Sequence, residues 1–188
     1  SGVTTVFDGG SSGVMTFPHF LETHIKTAVT DIFAFLHMNP VGEVMLPETW
    51  DREKIAVNPE AITETVLNNR RYIREIKNRA IGPLIRQRGL EAVDTALEVC
   101  ARCAVPFMVH IGLDPEDDTP ECEVAAFTRG LLERLRPGDI ITHAFTGKRG
   151  RIFRADGLFD DLVRKAVDRG VILDACVGRT NIPWESLR

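Results

Sequence analysis

The chain has 188 residues and a mass of 20.9 kDa, which suits one domain better than two. Its 44% hydrophobic and 27% charged residues, with a mean hydropathy of −0.05, are typical of a globular protein and exclude a disordered tail or a fibrous repeat. The net charge of −4 gives no general attraction to nucleic acid or to an anionic membrane, so neither is expected as a partner.

Strands and helices alternate along the sequence. Short apolar or β-branched segments predict six strands, at Thr4–Asp8, Ile32–Met38, Ile73–Arg79, Pro106–Ile111, Ile140–Phe145 and Val171–Ala175. Amphipathic patterns between them predict five helices, at Phe17–Thr27, Pro59–Tyr72, Leu90–Ala104, Glu121–Leu135 and Leu158–Asp168. This alternation is typical of parallel βαβ units and predicts the α/β class. Six units fit either an open doubly wound sheet or part of a (β/α)₈ barrel, and periodicity alone leaves both open.

The cysteines and the first residues bear on the cellular compartment. Four cysteines are too few for a disulfide framework in a chain of this length. Cys100 and Cys103 form a C-x-x-C inside a predicted helix, which we interpret as packed, reduced thiols; a redox pair or a zinc site is the alternative. The first residues lack the basic start and apolar stretch of a signal peptide, so a cytoplasmic location is expected.

The polar residues at the strand ends are the candidates for chemistry, because functional groups collect at the carboxyl ends of parallel strands. In chain order they are Asp8, His37, Lys77, His110, His143 and Asp174. Intervals of 33 residues separate Lys77 from His110 and His110 from His143, so these three are expected at one level on adjacent strands. We expect them to converge on the concave face of a curved parallel sheet. His37 looks like an ordinary strand residue, and Asp8 and Asp174 suit loop orientation as well as substrate contact.

Two histidines and a lysine in this pattern indicate a metal site. Neutral imidazole is the commonest protein ligand for zinc. If burial lowers the pKa of Lys77, its free amine can react with carbon dioxide to form a carbamate, whose two oxygens can bridge two metal ions. Two such ions would polarise a carbonyl and hold a hydroxide as the nucleophile.

Four segments resemble the amidohydrolase superfamily, in particular its deacetylase- and dihydroorotase-like metallohydrolases. They are GVTTVFDGGSSG at 2–13, IKNRA at 76–80, VPFMVHIG at 105–112 and DIITHAFTGK at 139–148. The resemblance implies a (β/α)₈ TIM-barrel fold, here incomplete with six βα units, so that 1–188 forms a partial barrel domain lacking the first and last strands. It implies hydrolysis of a small amide or ester at two zinc ions, with Lys77 as the bridging carbamate and with His110 and His143 as ligands. Arg79, two positions beyond Lys77 on the same strand face, is a candidate clamp for a substrate carboxylate.

The sequence also departs from the family pattern. No His-x-His pair occurs, although the family carries one on its first strand. The catalytic aspartate of the eighth strand has no counterpart, so no catalytic base is assigned within this chain, and little turnover is expected from it alone. Cys176-Val177-Gly178 stands where the family often has Gly-His-Gly.

Three explanations of these departures stay open: a fragment of a longer enzyme, which we favour, a degenerate relative, or completion by another chain. A non-catalytic α/β binding or assembly subunit is the alternative function. Unpaired apolar edges at Thr4–Asp8 and Val171–Ala175 predict self-association.

Overall fold

The computed structural model of the chain describes residues 2–44, 48–153 and 159–177. The strands are β1 (Thr5–Asp8), β2 (Asp31–His37), β3 (Ile73–Arg79), β4 (Phe107–His110), β5 (Ile140–Thr142) and β6 (Ile172–Asp174). The α-helices are α1 (Phe17–Phe20), α2 (Pro59–Asn68), α3 (Gly82–Gln87), α4 (Leu90–Cys103), α5 (Glu121–Arg134) and α6 (Asp161–Asp168). A π-helical turn at Leu21–Ile25 continues α1, and a 3₁₀ turn lies at Gly42–Val44.

All six predicted strands are present, and the differences lie at their ends and in the helices. β5 ends at Thr142 rather than Phe145, because His143 leaves the extended conformation with a φ of 60°. The predicted helix Phe17–Thr27 ends at Ile25, and its second half widens to π geometry. Leu158, the predicted start of the last helix, lies outside the described residues. The short helix α3 was not predicted.

The chain divides into two compact units, and the first comprises Ser1–Asn78 and Thr95–Phe107. Its strands β1, β2 and β3 pair in parallel and in chain order. Asn58 caps α2 as predicted, since its side-chain oxygen accepts the Ala61 N–H at 3.0 Å. Large side chains that are almost completely buried form the core of this unit, including Phe17, Leu36, Trp50, Ile62 and Ile76.

The two cysteines of the C-x-x-C motif lie on α4 within this first unit. Both are buried free thiols. The Cys103 thiol points to the Thr63 carbonyl at 3.9 Å, and the Cys100 thiol points to the Pro106 carbonyl at 3.5 Å. Both thiols are therefore packed inside this unit, as interpreted from the sequence.

The second unit comprises Arg79–Asp94 and Met108–Arg188. Here β4, β5 and β6 pair in parallel, again in chain order. Its core includes Leu84, Leu113, Leu131 and Ile141, each 2% exposed or less. The α/β class is thus confirmed in both units. Among the described residues, no helix is both long and apolar enough to cross a membrane.

Candidate metal centre

The two predicted histidine ligands lie side by side in the second unit. The His110 and His143 rings are 4.4 Å apart, centroid to centroid, and meet edge to face at 74°. His110 is the last residue of β4, and His143 directly follows β5. His143 is 8% exposed, so its ring is largely removed from solvent.

A left-handed backbone at His143 brings the two rings together. In the register of β4 and β5, the partner of His110 is Thr142, so the expectation that both histidines occupy one level is off by one residue. Because successive side chains on a strand point to opposite faces, an extended His143 would turn away from His110. Its φ of 60° redirects the side chain instead. Such a conformation is uncommon outside glycine and often marks a functional site.

The Cys176 carbonyl fixes the orientation of the His143 ring. The His143 Nδ1 atom lies 3.0 Å from this carbonyl oxygen. A carbonyl oxygen only accepts hydrogen bonds, so Nδ1 carries a proton. In the neutral ring, this tautomer places the lone pair on Nε2. Metal-binding histidines typically donate their other ring N–H to a carbonyl or a carboxylate in this way.

Lys77 belongs to the first unit, where it lies on β3 opposite His37 of β2. Its side chain is almost completely buried, with the residue 4% exposed. The glycine loop after β1 lies directly against it, since a Cβ atom built on Gly10 would be 2.7 Å from the Lys77 Cγ. The convergence of Lys77 with the histidines stays a prediction.

Arg79 is the last residue of β3 and is partly exposed. Its role as a carboxylate clamp also stays a prediction. Among the described residues, no three His, Cys, Asp or Glu side chains form a group suited to a metal ion.

The two aspartates at strand ends orient loops. The Asp8 carboxylate accepts the N–H groups of Gly10 and Ser11, at 3.3 and 3.0 Å, and also the Ser11 hydroxyl. Asp174 accepts the Thr142 hydroxyl at 2.6 Å and the Cys176 N–H at 3.3 Å. Each carboxylate therefore holds the turn that directly follows its own strand.

The first unit holds a buried polar cluster that was not predicted from the sequence. His37 is 0% exposed, and its Nδ1 accepts the Asn39 N–H at 3.0 Å, so the ring proton sits on Nε2. The Glu48 carboxylate lies 3.9 Å from that Nε2 and accepts the Trp50 indole N–H at 2.6 Å. The signals available in the sequence were His37 in an otherwise apolar strand and Glu48-Thr49-Trp50 in the loop that follows.

In the second unit, Asp117 anchors the loop that follows β4. Its carboxylate accepts the Thr119 N–H at 2.8 Å and lies 3.3 Å from the Arg86 guanidinium. A Cβ atom on Gly82 would collide with it at 1.9 Å, so the start of α3 has room only for glycine. Burial alone would raise the pKa of Asp117, but hydrogen bonds from Thr119 and Gly82 and the charge of Arg86 hold it below its usual value.

Curated relatives cover nearly all of this chain. A deacetylase of Agrobacterium fabrum is 32% identical over 176 residues, which are 92% of this chain and 40% of the relative. A deacetylase of Brucella anthropi is 32% identical over 92% of this chain and 41% of its own length. The chain thus spans about 40% of the length of these relatives. No model of a known protein family matches it.

Two solved structures match the fold of this chain. A crystal structure of an adenine deaminase matches with a TM-score of 0.83 and 25% identity, over 98% of this chain and 47% of that one. A dihydroorotase matches with a TM-score of 0.77 and 29% identity, over 98% of this chain and 55% of that one. These matches confirm the resemblance to the amidohydrolase superfamily and the incomplete (β/α)₈ barrel type, and they exclude the open doubly wound sheet.

Proposed function

We propose that the protein is a metal-dependent hydrolase of a small amide, cyclic amide or ester. The basis is its resemblance to the amidohydrolase superfamily along nearly its whole length. The names of its relatives support this proposal, since they are deacetylases, an adenine deaminase and a dihydroorotase. A small-molecule substrate and a cytoplasmic location are parts of the same proposal.

One observation carries the proposal: the His110 and His143 rings lie 4.4 Å apart, and the Cys176 carbonyl orients one of them. Two packed histidines in a core need no particular tautomer, whereas two ligands of one ion must each present a lone pair. The left-handed backbone at His143 adds a conformational cost that ordinary core packing does not require.

The donor set fits zinc. His110 and His143 would supply two imidazole nitrogens, and Lys77, standing in the family-like IKNRA segment, would supply carbamate oxygens. The carbamate forms when the neutral amine of a buried lysine adds to carbon dioxide and releases one proton. A zinc ion in such a site polarises a substrate carbonyl and lowers the pKa of a bound water.

The remaining roles belong to this chain's own residues. Arg79 would hold a carboxylate of the substrate through paired N–H donors. His143 would keep its orientation because its Nδ1–H donates to the Cys176 carbonyl. The sequence assigns no catalytic base, so the 188-residue chain by itself should turn over little substrate, since a missing base commonly costs about 10²–10⁴-fold in rate.

Metal binding tests the proposal directly. The purified chain is titrated with zinc against a chromophoric chelator, first as wild type and then as His110→Ala and His143→Ala. His24→Ala, which changes an exposed histidine on the π-helical turn, is the control. We expect the wild type and the control to bind zinc and both ligand variants to lose at least tenfold in affinity. A wild-type chain that binds no zinc would favour the non-catalytic binding subunit.

A further inference from the structure

We infer that Asp174 is a positioning residue for the candidate metal centre, because it fixes the tautomer and the orientation of His143 through the Cys176 carbonyl. The inference rests on the proposed function only where it concerns metal affinity. Its structural part concerns the protein without metal.

The first step is the turn after β6. The Asp174 side chain accepts the N–H of Cys176, two residues further along, which is the pattern of an Asx turn. Cys176 takes a φ of 35° in this turn. An L-residue rarely adopts that conformation without support, and the Asp174 carboxylate provides a hydrogen bond that supports it.

The same carboxylate also binds β5, the strand that His143 directly follows. The Thr142 hydroxyl donates to the other Asp174 oxygen at 2.6 Å. Thr142 and Asp174 are direct partners in the β5 and β6 register, and the Ala144 N–H donates to the Asp174 carbonyl at 3.1 Å. Asp174 therefore holds the residues on both sides of His143 along the chain.

The Cys176 carbonyl, set by the turn, accepts the Nδ1–H of His143 at 3.0 Å. Two unusual backbone conformations, at His143 and at Cys176, thus face each other across one hydrogen bond. The Asp174 side chain bonds to Thr142, the neighbour of the first, and to the N–H of the second. Removing that carboxylate should release the Cys176 carbonyl and let the imidazole exchange its tautomers.

The test reads the tautomer directly. Chains labelled with ¹⁵N at histidine are examined by NMR without metal, at about pH 8.5, where an unperturbed imidazole is neutral. We expect a protonated Nδ1 and an unprotonated Nε2 at His143 in the wild type, and mixed tautomers in Asp174→Ala. Asp174→Asn keeps an acceptor oxygen for the Cys176 N–H and should retain most of the wild-type signal.

Two further variants complete the design. Thr142→Val removes one of the two hydrogen bonds to the Asp174 carboxylate and keeps the inference testable where Asp174→Ala does not fold; it should shift the tautomer part of the way. Asp168→Asn, an exposed carboxylate at the end of α6, is the control and should change nothing.

Zinc affinity is then measured on the same proteins. We expect Asp174→Ala to lose about 10–100-fold, as changes in groups that orient metal ligands typically do. An unchanged His143 tautomer in folded Asp174→Ala and Thr142→Val proteins would overturn the inference. Failure of the wild type to bind zinc would overturn the proposed function and leave the tautomer result standing on its own.

Discussion

Substituting Gly10 by alanine should destabilise the first unit through two effects, a backbone conformation that alanine disfavours and a collision with buried side chains. The backbone at Gly10 has a φ of 113°, which costs an L-residue about 1–3 kcal/mol. The added Cβ would lie 2.7 Å from the Lys77 Cγ and 3.3 Å from the His37 Cδ2. The Cγ atom is close to the backbone of a buried residue and cannot swing away, so overpacking adds about 1–3 kcal/mol. The total of about 2–6 kcal/mol is a large share of a typical stability of about 5–15 kcal/mol.

Two other glycines of the chain separate these costs. Gly9→Ala adds a methyl group with nothing within 4 Å and should change the free energy of unfolding by less than about 1 kcal/mol. Gly138→Ala has a φ of 88° and also nothing within 4 Å, so it reports the backbone cost without a collision. Urea unfolding of the three variants gives the comparison, provided that the slope with urea concentration stays constant.

A double-mutant cycle tests whether the Lys77 side chain causes the collision with a Cβ atom at position 10. In a Lys77→Ala background the close Cγ contact is gone, so Gly10→Ala should cost about 1–3 kcal/mol less than in the wild type. Equal costs for Gly10→Ala and Gly9→Ala, or a cycle without coupling, would refute the packing argument and with it the placement of the Lys77 stem against this loop.

Three more outcomes follow from the described contacts. Asp117→Asn should lose about 1–3 kcal/mol at neutral pH. Because the folded-state pKa of Asp117 lies below its unfolded value of about 3.9, its stabilisation is present above that pH, and the difference from wild type in urea unfolding should shrink as pH falls through the folded-state pKa. The exposed thiols Cys122 and Cys176 should react with a disulfide reagent at once, and the buried thiols Cys100 and Cys103 only on unfolding. Burial blocks access of the reagent to both, and it also raises the pKa of Cys103. Fast reaction of all four thiols would contradict this. Light scattering should show association of the wild-type chain and less of it after Phe7→Lys, since Phe7 is 57% exposed on β1; a stable monomer would argue against edge pairing.

The sequence was most informative where local pattern and burial agree. The apolar strands and the Asn58 cap follow from short-range rules of chain geometry, and the proximity of the two late histidines follows from the spacing of one βα unit. The position of His143 relative to His110 along the strands was not predicted correctly, because the spacing of residues in the sequence does not reveal that His143 adopts a left-handed backbone conformation. Equal intervals of 33 residues predicted equal levels, and the backbone turn alone restored the contact.

The helix α3 and the His37 cluster were missed for different reasons. Gly82-Pro83 begins a helix of only six residues, too short for a periodic apolar stripe, although proline in the first turn was an available signal. His37 was set aside because a lone strand histidine usually packs in a core. Its neighbours Glu48 and Trp50 come from a loop 11 to 13 residues later, a proximity that no pattern on the strand contains.

The left-handed backbone at position 143 limits which residues can replace this histidine without destabilising the fold. Glycine, asparagine and aspartate tolerate a positive φ best, so most other substitutions carry a folding penalty before any effect on chemistry. Glycine would keep the turn and remove the proposed ligand. Asparagine or aspartate would keep the turn and present an oxygen in place of a nitrogen, which suits harder cations than zinc. Under the proposed function, the substitutions that this backbone tolerates best would therefore alter the metal preference before they alter the fold.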